Sequence, residues 1–267
     1  LYRFDPQRRR RLAEAIAGYQ RAVALKPDYP EAHNNLGNAL REAKQPGASM
    51  QSCAQAIALR PGYAEAYNNL GNSLQDLGEL EAAVASYGKA SGISPEYAEA
   101  HNNLGNVLRA QDKLDEAVDA YRKAVALRPD MRVAHHSLGL VLRARGDLAG
   151  ALDSLRAALD TTDANAHNSL GCVLRDTGDL DGAITHYRQA VELDPGLALA
   201  HSNLGGVLRR KGRFEEAVRS CTRAIELAPE FAEAYNHLGT AYYGLEKLDA
   251  AILSHRHAID LDPDSAD

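Results

Sequence analysis

In the stretch AEAYNNLGNSLQDLGE, residues 64 to 79, apolar positions recur at helical spacing: Ala66, Leu70, Leu74 and Leu77. On a helical wheel, Tyr67, Leu70, Gly71 and Leu74 cluster within an arc of about 100°, which predicts the packed face of an amphipathic helix. The opposite side holds Asn68, Asn69 and Asn72. Asparagine in a helix interior is about 0.6 kcal/mol worse than alanine, because its amide competes for backbone hydrogen bonds. A second helical run follows, with Ala83, Tyr87 and Ala90 in phase and Pro95 closing it. The pattern is a helix pair whose first member carries an unusual load of amides.

The pair recurs along the chain. AHNNLGN begins at Ala32, AYNNLGN at Ala66, AHNNLGN at Ala100, AHHSLGL at Ala134, AHNSLGC at Ala166, AHSNLGG at Ala200 and AYNHLGT at Ala234. Every step is 34 residues except the 32 from Ala134 to Ala166. Such a period signals stacked supersecondary units. The domain reading is a partial N-terminal repeat at 1–29 (second helix only), then full repeats at 30–63, 64–97, 98–131, 132–163, 164–197, 198–231 and 232–265, with 266–267 starting a truncated one. One glycine stands in each first helix (Gly37, Gly71, Gly105, Gly139, Gly171, Gly205, Gly239). It costs about 1 kcal/mol against alanine, so close approach of the paired helix is expected there. Ser49, Ala83, Ala117, Ala151, Ala183, Ala217 and Ala251 are the expected contacts. Prolines at repeat ends (Pro27, Pro61, Pro95, Pro129, Pro195, Pro229, Pro263) stop one helix and start the next.

These spacings resemble the tetratricopeptide repeat, with its aromatic, Leu-Gly, aromatic, Ala, aromatic, Ala and Pro positions, from about Arg8 to the last residue. His33, His101, His135, His167 and His201 stand where that family usually has Trp or Tyr, and Leu replaces the second aromatic in six repeats. The resemblance implies an all-α fold: a right-handed superhelical solenoid of antiparallel helix pairs, its inner surface lined by the first helices. The A-E-A-H/Y-N-N-L-G-N form is similar, more narrowly, to the repeats of the O-GlcNAc transferases, where an asparagine ladder lines that surface.

Asn34, Asn35 and Asn38, then Asn68, Asn69 and Asn72, then Asn102, Asn103 and Asn106 share one phase, thinning to His136 and Ser137, Asn168 and Ser169, Asn203, and Asn236. An amide side chain offers the acceptor and donors of a peptide bond. A ladder of them suits an extended backbone of any sequence, whereas mere solubility favours Lys, Glu or Gln at lower helix cost. The expected peptide-binding residues are Asn35, Asn38, Asn69, Asn72, Asn103, Asn106 and Asn203. Arg41 and Arg109 join them, from a set (with Arg143, Arg175 and Arg209) that follows the glycine by four residues and could meet acidic groups or pair with Glu42, Asp76 or Asp176. The family's carboxylate clamp carries a lysine at the places of Asn34, Asn68 and Asn102, so that ligand is not expected.

The 267 residues, 45% hydrophobic and 25% charged with net charge −6, are of ordinary globular composition. No run is long and apolar enough to span a bilayer, and a mildly acidic chain does not suggest nucleic acid as a partner. Cys53, Cys172 and Cys221 form no disulfide or metal motif and read as two core residues and one groove residue. One histidine per repeat is too widely spaced to share an ion, since packed helices lie about 8–10 Å apart. Arg8 to Arg11 abut LAEAIAGYQRAVALKP, a second-helix match, and read as its solvated start. No catalytic constellation, metal site or cofactor is expected. The function expected is a cytoplasmic scaffold for protein or extended peptide. The alternative is the substrate-selecting region of a larger transferase, distinguishable from the gene sequence beyond Asp267. The 32-residue repeat is expected to interrupt the stack between Asp160 and Ala166. The last helix lacks a polar cap, so self-association through uncapped ends is expected of Leu248, Ala251, Ile252, Ile259 and Leu261.

Overall fold

The computed structural model describes residues 6–263, so the residues read as an eighth repeat, 266–267, and the first five of the partial repeat lie outside it. The described chain is all α-helix. A lone helix α1 (Pro6–Leu25) is followed by pairs α2 (Pro30–Glu42) and α3 (Pro46–Leu59), α4 (Ala64–Asp76) and α5 (Leu80–Ile93), α6 (Ala98–Ala110) and α7 (Leu114–Leu127). Then come α8 (Arg132–Ala144) and α9 (Leu148–Ala158), α10 (Ala164–Asp176) and α11 (Leu180–Leu193), α12 (Ala198–Arg210) and α13 (Phe214–Leu227), α14 (Ala232–Gly244) and α15 (Leu248–Leu261). Contacts divide the chain into two compact units, Leu1–Ser137 and Leu138–Asp267. In the first, each helix from α1 to α7 packs on the next, and α2, α4 and α6 also touch in succession. In the second, α9 to α15 pack in order and α10, α12 and α14 meet the same way. Each unit is thus a solenoid of antiparallel helix pairs.

The hairpin turn inside each pair needs one residue with positive φ. Gly78, Gly146, Gly178 and Gly212 supply it, while Lys44, Asp112 and Glu246 adopt it at φ near 60°, a conformation costly for residues with a Cβ. Asp147 and Asp179 cap α9 and α11 by accepting from the Gly150 and Gly182 amides.

The recurrent glycines do mark close approach, and the side chain that fills the gap stands one helical turn beyond the small residue expected. A Cβ on Gly71, Gly105 or Gly171 would fall 2.7 Å from the ring of Tyr87, Tyr121 or Tyr187. Gly139 meets Leu155, Gly205 meets Cys221, and Gly239 meets His255. Of the small residues expected there, Ser49 meets Gly37 through its hydroxyl, which donates to the Gly37 carbonyl at 2.6 Å, while Ala151 and Ala217 bring backbone oxygens near Gly139 and Gly205. Tyr87, Tyr121 and Tyr187 are wholly buried, so the glycine exists to seat the large side chain one helical turn beyond the small one.

The two units divide within the 32-residue repeat, but at Ser137 and Leu138 in α8 and not at its short junction. The junction between α9 and α10 lies inside the second unit. Its two missing residues are absorbed by α9, which runs 11 residues where the other paired second helices run 14. A turn then closes it, in which Asp160 accepts from the Thr162 amide and hydroxyl and Asp163 caps α10.

Candidate functional site: the amide face of the first helices

In the first unit the asparagines of α2, α4 and α6 divide into a buried row and a row nearer solvent. Asn34, Asn68 and Asn102 are 5–7% exposed, Asn69, Asn72, Asn103 and Asn106 are half-buried, and Asn35 and Asn38 are exposed. The two rows hydrogen-bond between repeats: Asn69 Nδ2 donates to Asn34 Oδ1 at 2.9 Å, and Asn103 Nδ2 to Asn68 Oδ1 at 3.0 Å. Among the described residues no first helix precedes α2, and Asn35 is exposed. Buried amides are tolerated when paired, so the helix-propensity cost of these asparagines is offset by a seam joining neighbouring first helices. The wheel placed Asn68 away from the packed face of its own pair; the neighbouring pair buries it.

The series stops at Asn102. The next residue in register is Ser137, too short to reach it, and Asn102 Oδ1 is buried without a hydrogen-bond partner. Its Nδ2 turns instead to Asn103 Oδ1 at 3.4 Å.

A third row is oriented from below. The Tyr87 hydroxyl donates to Asn72 Oδ1 at 2.7 Å and the Tyr121 hydroxyl to Asn106 Oδ1 at 2.8 Å. Burial raises both phenols above their ordinary range, so they remain protonated donors. With each carbonyl occupied, the Nδ2 groups of Asn72 and Asn106 have no partner among the described residues. Asn69 keeps its carbonyl and one N–H, while Asn103 spends Nδ2 on Asn68 and, at 3.4 Å, on Asn72. Arg41 is engaged with Asp76 at 2.8 Å, and Arg109 lies against the Tyr121 hydroxyl.

The second unit keeps the seam in altered form. Asn203 Nδ2 donates to Asn168 Oδ1 at 3.0 Å, both side chains being buried. In the following repeat His237 replaces the donor asparagine, its Nδ1 lying 3.5 Å from Ser202 Oγ. Gly206 makes room for that ring, since a Cβ there would lie 2.7 Å from His237 Cε1. The sequence reading missed this pair, although the doubled glycine of SNLGG with a histidine 31 residues on was the available signal. Cys172 takes the place of Asn72, so the buried Tyr187 hydroxyl has lost its amide acceptor and is left facing the Cys172 thiol, a weak partner. Cys172 meets Asn203 Nδ2 at 3.7 Å on this face, whereas Cys53 and Cys221 are core thiols that burial pushes up to about 11 and about 12.

The histidines at the aromatic position latch each first helix to the end of the preceding second helix. His33, His101, His135 and His201 bring Nε2 to 2.9–3.2 Å from the carbonyls of Pro27, Pro95, Pro129 and Pro195. The short repeat lacks that proline, and His167 turns to His186 on α11, Nδ1 to Nδ1 at 2.9 Å. Among the described residues no cluster of three His, Cys, Asp or Glu is placed to hold a metal, and no helix is long and apolar enough to cross a membrane.

Helix pairs stacked through glycine–aromatic contacts and side-by-side first helices define an all-α helical-repeat protein. Family models described as tetratricopeptide repeat match residues 30–63, 68–132, 132–157 and 196–264, and one described as TPR repeat matches 9–42 and 171–212. The chain belongs to the tetratricopeptide-repeat family. The search of curated proteins gives no match. Among solved structures the chain is similar to MamA (residues 41 to end) from Desulfovibrio magneticus RS-1, with TM-score 0.59 and 26% identity over 63% of this chain and 96% of that one. It shares its fold with PilF of Pseudomonas aeruginosa, TM-score 0.68 at 19% identity over 77% and 94% of the two chains. The same holds for the Cut9–Hcn1 hetero-tetramer of the APC/C, TM-score 0.68 at 18% identity over 96% and 51%.

Proposed function

We propose that this chain is a scaffold that holds extended polypeptide along the amide face of its first helices, binding mainly backbone. The observation that carries this reading is the orientation of Asn72 and Asn106. Tyrosine hydroxyls occupy their carbonyls, which leaves two amino groups one repeat apart as donors for peptide carbonyls. The exposed amides of Asn35 and Asn38 and the remaining groups of Asn69 extend the row, and Asn103 and Asn203 hold the seam in place behind the ligand. Amide donors are indifferent to side-chain identity, so the reading implies low sequence specificity and a preference for extended over helical ligands. The asparagine triplets equally support use of this face to select substrates for a larger transferase.

The test is binding of an uncharged Ser/Ala/Gly peptide of about twelve residues, followed by fluorescence anisotropy. Asn72→Asp and Asn106→Asp keep the acceptors for Tyr87 and Tyr121 but remove the amino groups. Combined with Asn35→Ala and Asn38→Ala, they should lower affinity at least tenfold, the loss of one to two hydrogen bonds. Unchanged affinity in the fourfold variant would sink the proposal.

A further inference from the structure

The arginine four residues after the repeat glycine has a fixed neighbour where the sequence provides one. Arg41 Nε donates to Asp76 Oδ2 at 2.8 Å, and Arg143 Nε to Asp176 Oδ2 at 2.5 Å. In both cases the acid is the fifth residue after the glycine of the following repeat. Carried forward through the second unit, the same register puts Arg210 opposite Arg175 and Gly244 opposite Arg209. Two successive arginines have therefore lost their carboxylate. At Gly244 none can be accommodated, since a Cβ would lie 2.5 Å from the Phe214 ring.

Arg175 recovers part of what is missing, from its own neighbour Asp176 at 3.0 Å and from Asn203 Oδ1 at 3.4 Å, but Asp176 is shared with Arg143. Arg209 recovers nothing at Nε, which is buried and unpartnered. His237 sits beside both. Its titration is governed first by burial, then by Glu233 on its own helix, then by Arg209 and Arg175, with Ser202 as its hydrogen-bonding neighbour. Glu233 is half exposed and stays 3.9 Å from His237 Nε2. The balance on this patch of α10, α12 and α14 is positive, with a buried donor lacking an acceptor.

We propose that Arg175, Arg209 and His237 form an anion subsite that takes the carboxylate of an Asp or Glu side chain on a peptide lying along the first helices of the second unit. The inference rests on the peptide-groove reading and gives it a substrate class, acidic extended polypeptide. The geometry points to a carboxylate because the repeats themselves fill the equivalent place with one, on the short arm of Asp76 or Asp176, and because a guanidinium matches it as a planar fork. An anion seated here favours protonated His237. Since that imidazole is held below its ordinary pKa in the free protein, affinity rises as pH falls through the neutral-to-mildly-acid range.

The test compares a labelled twelve-residue peptide of alternating Asp and Ala with its Asn counterpart, on the full chain, by anisotropy at pH 7.5 and 6.0. The expected results are tighter binding of the Asp peptide, a loss of about tenfold in Arg209→Gln for that peptide alone, and further tightening at pH 6.0 that disappears in His237→Asn. Arg210→Asp, which restores the missing acid opposite Arg175 at an exposed site, should compete with the ligand and weaken the Asp peptide. Equal binding of the two peptides, or an Arg209→Gln variant that binds the Asp peptide like wild type, overturns the subsite. The groove reading then stands if the Asn peptide still responds to the Asn72 and Asn106 changes. Preference for a phosphoserine peptide over the Asp peptide would overturn the carboxylate assignment.

Discussion

Removing one asparagine from the seam should have opposite effects depending on its row. Asn35→Ala deletes an exposed amide with no partner among the described residues and gains about 0.6 kcal/mol of helix propensity. Asn103→Ala gains the same amount but strips the donor from Asn68 Oδ1, on a side chain only 5% exposed. An orphaned buried acceptor costs about 1–3 kcal/mol, so the net effect is a loss of about 1 kcal/mol or more, and the two variants should differ by about 2 kcal/mol. Asn34→Ala falls between them, because the donor it abandons, Asn69, is half-buried and accessible to water. In a linear array the loss falls on the interface between adjacent repeats, here that joining α4 and α6. Urea unfolding followed by far-UV circular dichroism gives the midpoints, and an unchanged slope shows that stability alone has moved. An Asn103→Ala protein unfolding at or above the wild-type midpoint would refute the claim that the seam holds the repeats together. The peptide-binding test must accordingly leave Asn69 and Asn103 intact.

Ser137→Asn should supply the donor that Asn102 Oδ1 lacks and raise stability by about 1 kcal/mol in the same urea assay. Tyr121→Phe should cost about 1 kcal/mol by removing the bond to Asn106, whereas Tyr187→Phe removes a buried hydroxyl that has only the Cys172 thiol beside it and should cost less or nothing; equal losses in both would contradict the assignment. Burial holds His186, His201 and His237 below the ordinary histidine pKa of 6.5. The unfolded chain therefore binds more protons once pH falls below about 6.5, and stability is lost from there downward until the folded imidazoles titrate. A Tm unchanged between pH 7.5 and 5.5 would contradict this. Ile252 is 57% exposed on α15, while Ile184, at the same register on α11, is 4% exposed beneath the next first helix. With Leu253 and Ile259 it forms an uncovered apolar face, and light scattering should detect concentration-dependent association that Ile252→Lys abolishes.

The repeat phase was legible because helical periodicity, glycine and proline recur at a constant interval, and a helix pair is a local object. What crosses between helices was less so. A wheel shows that Gly71 faces its partner helix but not whether Ala83 or Tyr87, one turn apart, fills the gap. It also treats the pair as isolated, and so placed Asn68 in a groove where the neighbouring pair buries it. The signal was present as identical residues 35 apart, Asn34 with Asn69 and Asn68 with Asn103, and as Arg41 with Asp76. The short junction misled in place: the deletion suggested a break between Asp160 and Ala166, whereas the contacts divide the chain earlier in the same repeat, after Ser137, and α9 is shortened at the deletion itself. His167 and His186 could not have been paired by pattern, because their contact exists only where the proline carbonyl is missing.

Because each repeat carries both the acceptor for the one after it and the donor for the one before, a tandem copy of any such segment arrives already matched on both sides. Asn68 and Asn69 serve as one such plug and socket. The gene can therefore lengthen the array by duplication without first evolving a new interface. Divergence is harder, since changing either half of a joint strands the other. Ser137 beside an orphaned Asn102 records a change made on one side only. At the joint of Ser202 and His237 both halves have changed, and Gly206 has been added to fit. Recombination that swaps repeats within this chain should succeed between α2–α3 and α4–α5, whose joints are alike, and fail where the histidine-bearing repeat is set beside an asparagine with no glycine to receive the ring.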